Sequence, residues 1–211
     1  MTQILVYGDS LTWGIIPGTR RRLLFAQRWP AILEAGLITA GHSVRVIEDC
    51  LNGRRTTWDD PFKPGRNGLT GIEQRIEINS PLSLLILMLG TNDFQSVHQH
   101  NASHSAQGIA SIVRAIRRAP IEPDMPVPTI LIVAPPLSET PAGTMADKFA
   151  GARERAHGLS AAYEGVAAEL DCAFVDAGRL ITASKVDGVH LDADQHEILG
   201  KALVDPVRKL L

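Results

Sequence analysis

Short apolar runs rich in branched residues alternate along this chain with longer stretches whose apolar positions recur at helical spacing. "QILVYG" (3–8) is one such run, and after it "RWPAILEAGLITAGH" (28–42) carries a helical pattern that ends at Gly41. "SVRVIEDC" (43–50) alternates as a half-buried strand does, and a polar loop runs through "LNGRRTTWDDPFKPGRNG" (51–68). Positions 69–78 read as a helix and "LSLLILMLG" (82–90) as a fully buried strand ending in Gly90. The stretch 103–118 is a helix whose Arg114, Arg117 and Arg118 complement the negative end of its dipole. "PTILIVAPP" (128–136) is a fourth strand, stopped by Pro135 and Pro136, which cannot donate to a ladder. The pattern then predicts one long helix over about 145–170, a fifth strand in "CAFVDA" (172–177) and a closing helix over 192–210.

Strands separated by helices imply a parallel sheet covered on both faces. The expected fold is a three-layer α/β/α sandwich, with a flavodoxin-like, doubly wound sheet of five strands in the order 2-1-3-4-5. A length of 211 residues without internal repeat or linker suits one domain over 1–211. In such sheets ligands bind beyond the carboxyl ends of the strands, where the order reverses between strands 1 and 3. The same order keeps the two cysteines, Cys50 and Cys172, apart on opposite edge strands. Four strand spacings are roughly 19 Å, against the ~7 Å that a disulfide spans. Both are therefore read as buried small hydrophobes. The loop "APPLSETPAGTMADKF" (134–149), rich in Pro and Gly, is the candidate flap.

Charge narrows the partners. A formal net charge of -2 gives no electrostatic footprint for nucleic acid or an anionic membrane. No run approaches the roughly 20 apolar residues that span a bilayer. The chain meets a strand at once, without a basic leader, so the cytoplasm is the expected location.

Three stretches converge on the expected ligand edge: Gly8-Asp9-Ser10-Leu11, Leu51-Asn52-Gly53 and Gly90-Thr91-Asn92-Asp93. They offer a hydroxyl, free backbone N–H groups and an amide. Acyl transfer through a serine needs a nucleophile, a base, and donors for the negative oxygen of the tetrahedral intermediate. Ser10 supplies the first, and the N–H groups of Ser10 and Gly53 with the Asn92 side chain supply the last. The base must come from His42, His98, His100, His104, His157, His190 or His196. "KVDGVHLDADQH" (185–196) favours His190, because Gly188 lets a turn bring Asp187 onto the imidazole and fix its tautomer. Asp192 and Asp194 are the alternatives, set where they would cap the last helix. Asp9 is expected to hold the turn around Ser10. Trp13 is a candidate wall of the substrate pocket, or plain packing under the loop. Arg54 and Arg55 are expected to be solvated or at an interface.

Each stretch alone is an ordinary turn; together, at three strand ends, they point to catalysis. Two other chemistries compete for this reading. His98, His100 and His104, with Asp93 nearby, have a spacing that zinc or nickel sites use, but they read as surface histidines and no metal is assigned. A nucleotide- or FMN-binding flavodoxin-like module needs a run of free N–H groups for phosphate, where "GDSLTWG" places a carboxylate instead.

At this point the chain resembles the SGNH hydrolases, also called the GDSL family. "GDSLTWG" resembles the family's serine block, Gly53 its glycine block, "GTND" its asparagine block and "DGVH" its Asp-x-x-His block. The resemblance implies Ser10 as nucleophile, His190 as base, Asp187 orienting it, and Ser10, Gly53 and Asn92 as the oxyanion hole. With "RTTWDDP" and "VDGVHLD" it is similar to the bacterial arylesterase and acyltransferase branch. That branch implies a small-molecule ester substrate, water or an alcohol as acceptor, no cofactor, and assembly into homo-oligomers. A carbohydrate acetylesterase or a thioesterase would use the same residues. The segments 14–28 and 138–149 are expected to line the mouth of the site.

Overall fold

The computed structural model describes residues 1–211. Five parallel strands stand in the order β2-β1-β3-β4-β5: β1 (Thr2–Gly8), β2 (Val44–Cys50), β3 (Leu84–Met88), β4 (Thr129–Ala134) and β5 (Ala173–Asp176). This is the order the sequence predicts, with β1 paired to both β2 and β3 so that Ile4 faces Val46 on one side and Leu84 on the other. Because successive side chains alternate across a strand, each central strand feeds two cores. Leu5, Tyr7, Leu85, Leu87 and Ile132 pack on one face beneath α3 (Ile72–Asn79), α4 (Ala102–Arg118) and α6 (Leu159–Glu169). Ile4, Val6, Leu84, Ile86 and Leu131 pack on the other beneath α2 (Trp29–Thr39), α7 (Ala193–Ala202) and α8 (Val204–Arg208). The result is an α/β/α sandwich. Two short helices, α1 (Ser10–Trp13) and α5 (Ala152–Arg155), sit at the carboxyl edge of the sheet.

Three expectations are corrected. The helix expected over about 145–170 is a 3₁₀ turn at Gly143–Met145, then α5, then α6, because Gly151 and Gly158 take left-handed conformations that end each helical stretch. The closing helix breaks into α7 and α8 where Pro206 lacks the N–H that would bond to Ala202. Cys50 and Cys172 are free thiols, as the opposite edges require, yet both are half-buried rather than core residues. No helix is long and apolar enough to cross a membrane.

Candidate active site

β1 ends at Gly8, where a Cβ would collide with the Thr12 side chain, and the chain turns at once into α1 with Asp9 as its N-cap. Asp9 Oδ1 accepts the Leu11 N–H at 2.9 Å, and its Oδ2 accepts the Asn92 side-chain amide at 2.9 Å. Asp9 is thus the buried brace of this turn, as expected. Ser10 opens the helix, so its N–H lacks an intrahelical partner. After β2, Gly53 adopts φ +83 in a turn closed by the Arg54 N–H on Leu51 O, and its own N–H meets no protein acceptor. A Cβ on Gly53 would touch nothing within 4 Å, so the turn's conformation, not lack of room, asks for glycine there.

Asn92 lies in a 3₁₀ turn, Thr91–Phe94, directly after β3. Its Oδ1 accepts from Gln95 Nε2 at 2.8 Å, which fixes the amide so that Nδ2 faces Asp9 and, at 3.2 Å, the Arg54 carbonyl. Gln95 in turn accepts from Arg55 Nη2 at 2.6 Å. Neither Arg54 nor Arg55 is solvated, contrary to expectation. The Arg54 guanidinium stacks 3.9 Å over the Tyr7 ring and binds Gly8 O and Asp49, while Arg55 is fully buried and paired to Asp60 Oδ2 at 2.7 Å. They pin the Gly53 loop to β1 and to the Asn92 loop. Asp93 adds a second brace, accepting from Thr56 and Ser105, the latter in contact with the Tyr163 hydroxyl.

At the far end of the chain the turn Asp187–His190 presents the other half of the site. His190 Nδ1 lies 2.7 Å from Asp187 Oδ2, which also accepts the Gly18 N–H at 3.0 Å. Asp187 Oδ1 accepts the N–H groups of Val189 and His190 at 3.0 and 2.9 Å. Burial alone would raise the carboxyl pKa, but these hydrogen bonds, that of the imidazole first, outweigh it and hold it well below the usual carboxylate range. Gly188 is at φ +76, and a Cβ on it would collide with Thr140 O. The alternative carboxylates are elsewhere: Asp192 accepts from Ser184 Oγ rather than capping α7, and Asp194 is exposed.

Ser10, Gly53, Asn92 and His190 all line one narrow cleft, about 430 Å³ of empty space counting its open mouth. The sequence profile of the GDSL-like lipase/acylhydrolase family matches residues 6–198. The chain belongs to the GDSL-like lipase/acylhydrolase family.

Solved structures agree along the whole chain. A Mycobacterium smegmatis aryl esterase with bound inhibitor is 32% identical, with a TM-score of 0.94 and 100% of both chains covered. A carbohydrate acetylesterase from Sinorhizobium meliloti is 33% identical at a TM-score of 0.93, again over 100% of both chains. A putative arylesterase from Agrobacterium tumefaciens is 40% identical at a TM-score of 0.90, with the same full coverage. Among curated protein sequences there is no match. Family membership and these neighbours make the protein a carboxylic ester hydrolase.

The hydrolase's cleft has apolar and cationic walls. Met145 and Phe149 come from the 134–149 loop, which is tied to the Asp187 turn by hydrogen bonds from Glu139 N to Gly188 O and from Ala142 N to Asp187 O. From the segment after Trp13, Ile15 reaches the cleft. Trp13 does not line it; its ring lies under the Arg22 guanidinium at 4.6 Å. Arg20, Lys63 and Lys148 complete the mouth; Arg20 and Lys148 belong to the segments 14–28 and 138–149 expected there, whereas Lys63 does not. His98 and His100 stack with ring centroids 5.0 Å apart and His100 stacks on Trp58, so their nitrogens do not converge on one point. No group of three His, Cys, Asp or Glu side chains is arranged to hold a metal ion.

Proposed function

We propose that residues 1–211 act as one serine esterase domain, with Ser10 as nucleophile, His190 as general base and Asp187 as the group that orients it. One arrangement carries this reading: the Asp187–His190 pair opens into the same cleft as Ser10, Gly53 and Asn92. Asp187 keeps the imidazole proton on Nδ1, which leaves the Nε2 lone pair to take the Ser10 proton as Oγ attacks the ester carbonyl. The carbonyl oxygen, now negative, is met by the N–H groups of Ser10 and Gly53. Asn92 Nδ2 joins them by trading its longer bond, to Arg54 O, for the oxyanion. The tetrahedral intermediate collapses, His190 returns the proton to the leaving alkoxide, and an acyl-enzyme remains. Water or an alcohol, deprotonated by His190, then releases the acid or a new ester.

The narrow floor of the cleft suits short acyl groups, acetyl above all. The neighbours named as aryl esterase and carbohydrate acetylesterase leave both aryl and sugar acetates as substrates to try. We carry assembly into homo-oligomers as part of the same proposal, checked by sedimentation velocity. The direct test is Ser10→Ala: p-nitrophenyl acetate turnover and covalent labelling by a fluorophosphonate should both vanish in the folded variant. Labelling at another residue, or an undiminished rate, overturns the assignment.

A further inference from the structure

The mouth of the cleft has an unbalanced charge. Arg20, Lys63 and Lys148 line it with no ion-pair partner and no side-chain hydrogen bond within the chain. The lining's one carboxylate, Asp60, is already engaged: Oδ2 is held by Arg55 at 2.7 Å, and Oδ1 accepts the N–H groups of Phe62 and Lys63 at 2.9 and 3.0 Å. Partial burial lowers the ammonium pKa values of Lys63 and Lys148; the neighbouring cations, Arg20 among them, add to this and Asp60 opposes it. Arg20, Lys63 and Lys148 therefore share a single carboxylate, one that Arg55 already holds, and the excess of positive charge across this polar cleft is what an anionic ligand would relieve.

Lys63 and Lys148 also border a wider surface depression that opens outward between Phe62, Val97 and Asp147. The acyl group belongs at the narrow end beside Ser10, so the alcohol portion of an ester occupies the boundary where these lysines stand. Resting on the esterase reading, we infer that this site selects esters whose alcohol portion carries an anionic group, a carboxylate or a phosphate, held by Arg20, Lys63 and Lys148. A cleft lined by one sign of charge concentrates the opposite sign, and a rate preference of about tenfold or more is expected at low salt.

The test compares kcat/KM for 3-acetoxybenzoate and 3-acetoxyphenyl phosphate with that for neutral 3-acetoxybenzamide, each normalised to its alkaline hydrolysis rate. Both anionic acetates should be preferred about tenfold or more at low ionic strength, with the preference shrinking as salt shortens the screening length. The double variant Lys63→Gln with Lys148→Gln should lose most of that preference, whereas Lys209→Gln, an exposed lysine outside the cleft, should retain it. A carboxylate-only or phosphate-only preference identifies which anion the mouth takes and supports the inference. Equal normalised rates, or a preference that survives the double variant, overturn it while leaving the esterase reading intact. A preference for p-nitrophenyl hemisuccinate over p-nitrophenyl butyrate, without one among the acetates, overturns the alcohol-side placement. Failure of neutral and anionic acetates alike overturns the esterase reading itself.

Discussion

Replacing Asp187 by Asn probes the site through its most crowded acceptor. Four donors converge on the carboxylate: Val189 and His190 N–H on Oδ1, Gly18 N–H and His190 Nδ1 on Oδ2, all within 2.7–3.0 Å. An amide offers one oxygen. If that oxygen serves the two N–H groups of the turn, the NH₂ confronts Gly18 N–H and the imidazole. The ring answers by moving its proton to Nε2 so that Nδ1 can accept, and Nε2 then has no lone pair for the Ser10 proton. The tautomer is wrong although every atom is nearly in place. A loss of about 10⁴ in kcat is expected, which corresponds to about 5–6 kcal/mol in the barrier. The orphaned Gly18 N–H and the lost charged bond should also lower stability by about 1–3 kcal/mol. Because the native carboxyl titrates below its unfolded value, the stability it contributes is present at neutral pH and is lost as the medium is acidified from the ordinary carboxyl value down to the lower native one. Single-turnover kinetics with p-nitrophenyl acetate measure the first effect, and urea melts at neutral and acid pH the second. A folded variant within tenfold of the wild-type rate refutes the tautomer argument.

Further expectations follow from other contacts. Asn92→Ala removes one oxyanion donor and the brace on Asp9, so kcat should fall about 10²–10³-fold with little change in KM; a change confined to KM contradicts the role. Gly188→Ala must hold a positive φ while its Cβ pushes into Thr140 O and Pro141 Cα, the latter at 2.7 Å, and should destabilise the fold by more than about 1 kcal/mol; an unchanged melting temperature shows that the turn tolerates Cβ. His196 is fully buried, and burial with the nearby Arg28 charge lowers its pKa from 6.5 to about 4. The unfolded chain therefore takes up the proton first, and stability should fall by about 3 kcal/mol as pH drops from above 6.5 to below 4. The stability difference between wild type and His196→Asn should thus shrink across that range, and a pH-independent difference dismisses the effect.

How much of this was legible depended on range along the chain. β1, β3 and β4 were readable as short apolar runs closed by a glycine or proline and β2 by its alternation, and the order 2-1-3-4-5 followed from the alternation of strands with helices. Ser10, Asn92 and the Asp187–His190 turn were readable because each belongs to a local pattern, the first two beside strand ends and the third ahead of the last helices. What escaped was set by partners far away in sequence. Arg55 looks like a surface residue until Gln95, forty positions on, is found holding its guanidinium. The Ala-rich periodicity over 145–170 masked two glycines whose left-handed backbone ends the helices. The cations at the mouth belong to three separate loops, and only folding puts them on one rim.

The Asp187 turn is a mechanical junction. The loop carrying Met145 and Phe149 hangs from its backbone, and the segment between Ile15 and Arg20 hangs from its carboxylate through Gly18. Two of the three walls of the cleft therefore hang from the turn that orients His190, the proposed base, and reshaping either drags the imidazole along. The wall around Asp60 and Lys63 is anchored to Arg55 instead. Laboratory evolution toward bulkier esters should accordingly collect its tolerated changes there, and gains won on the other two walls should come with slower chemistry.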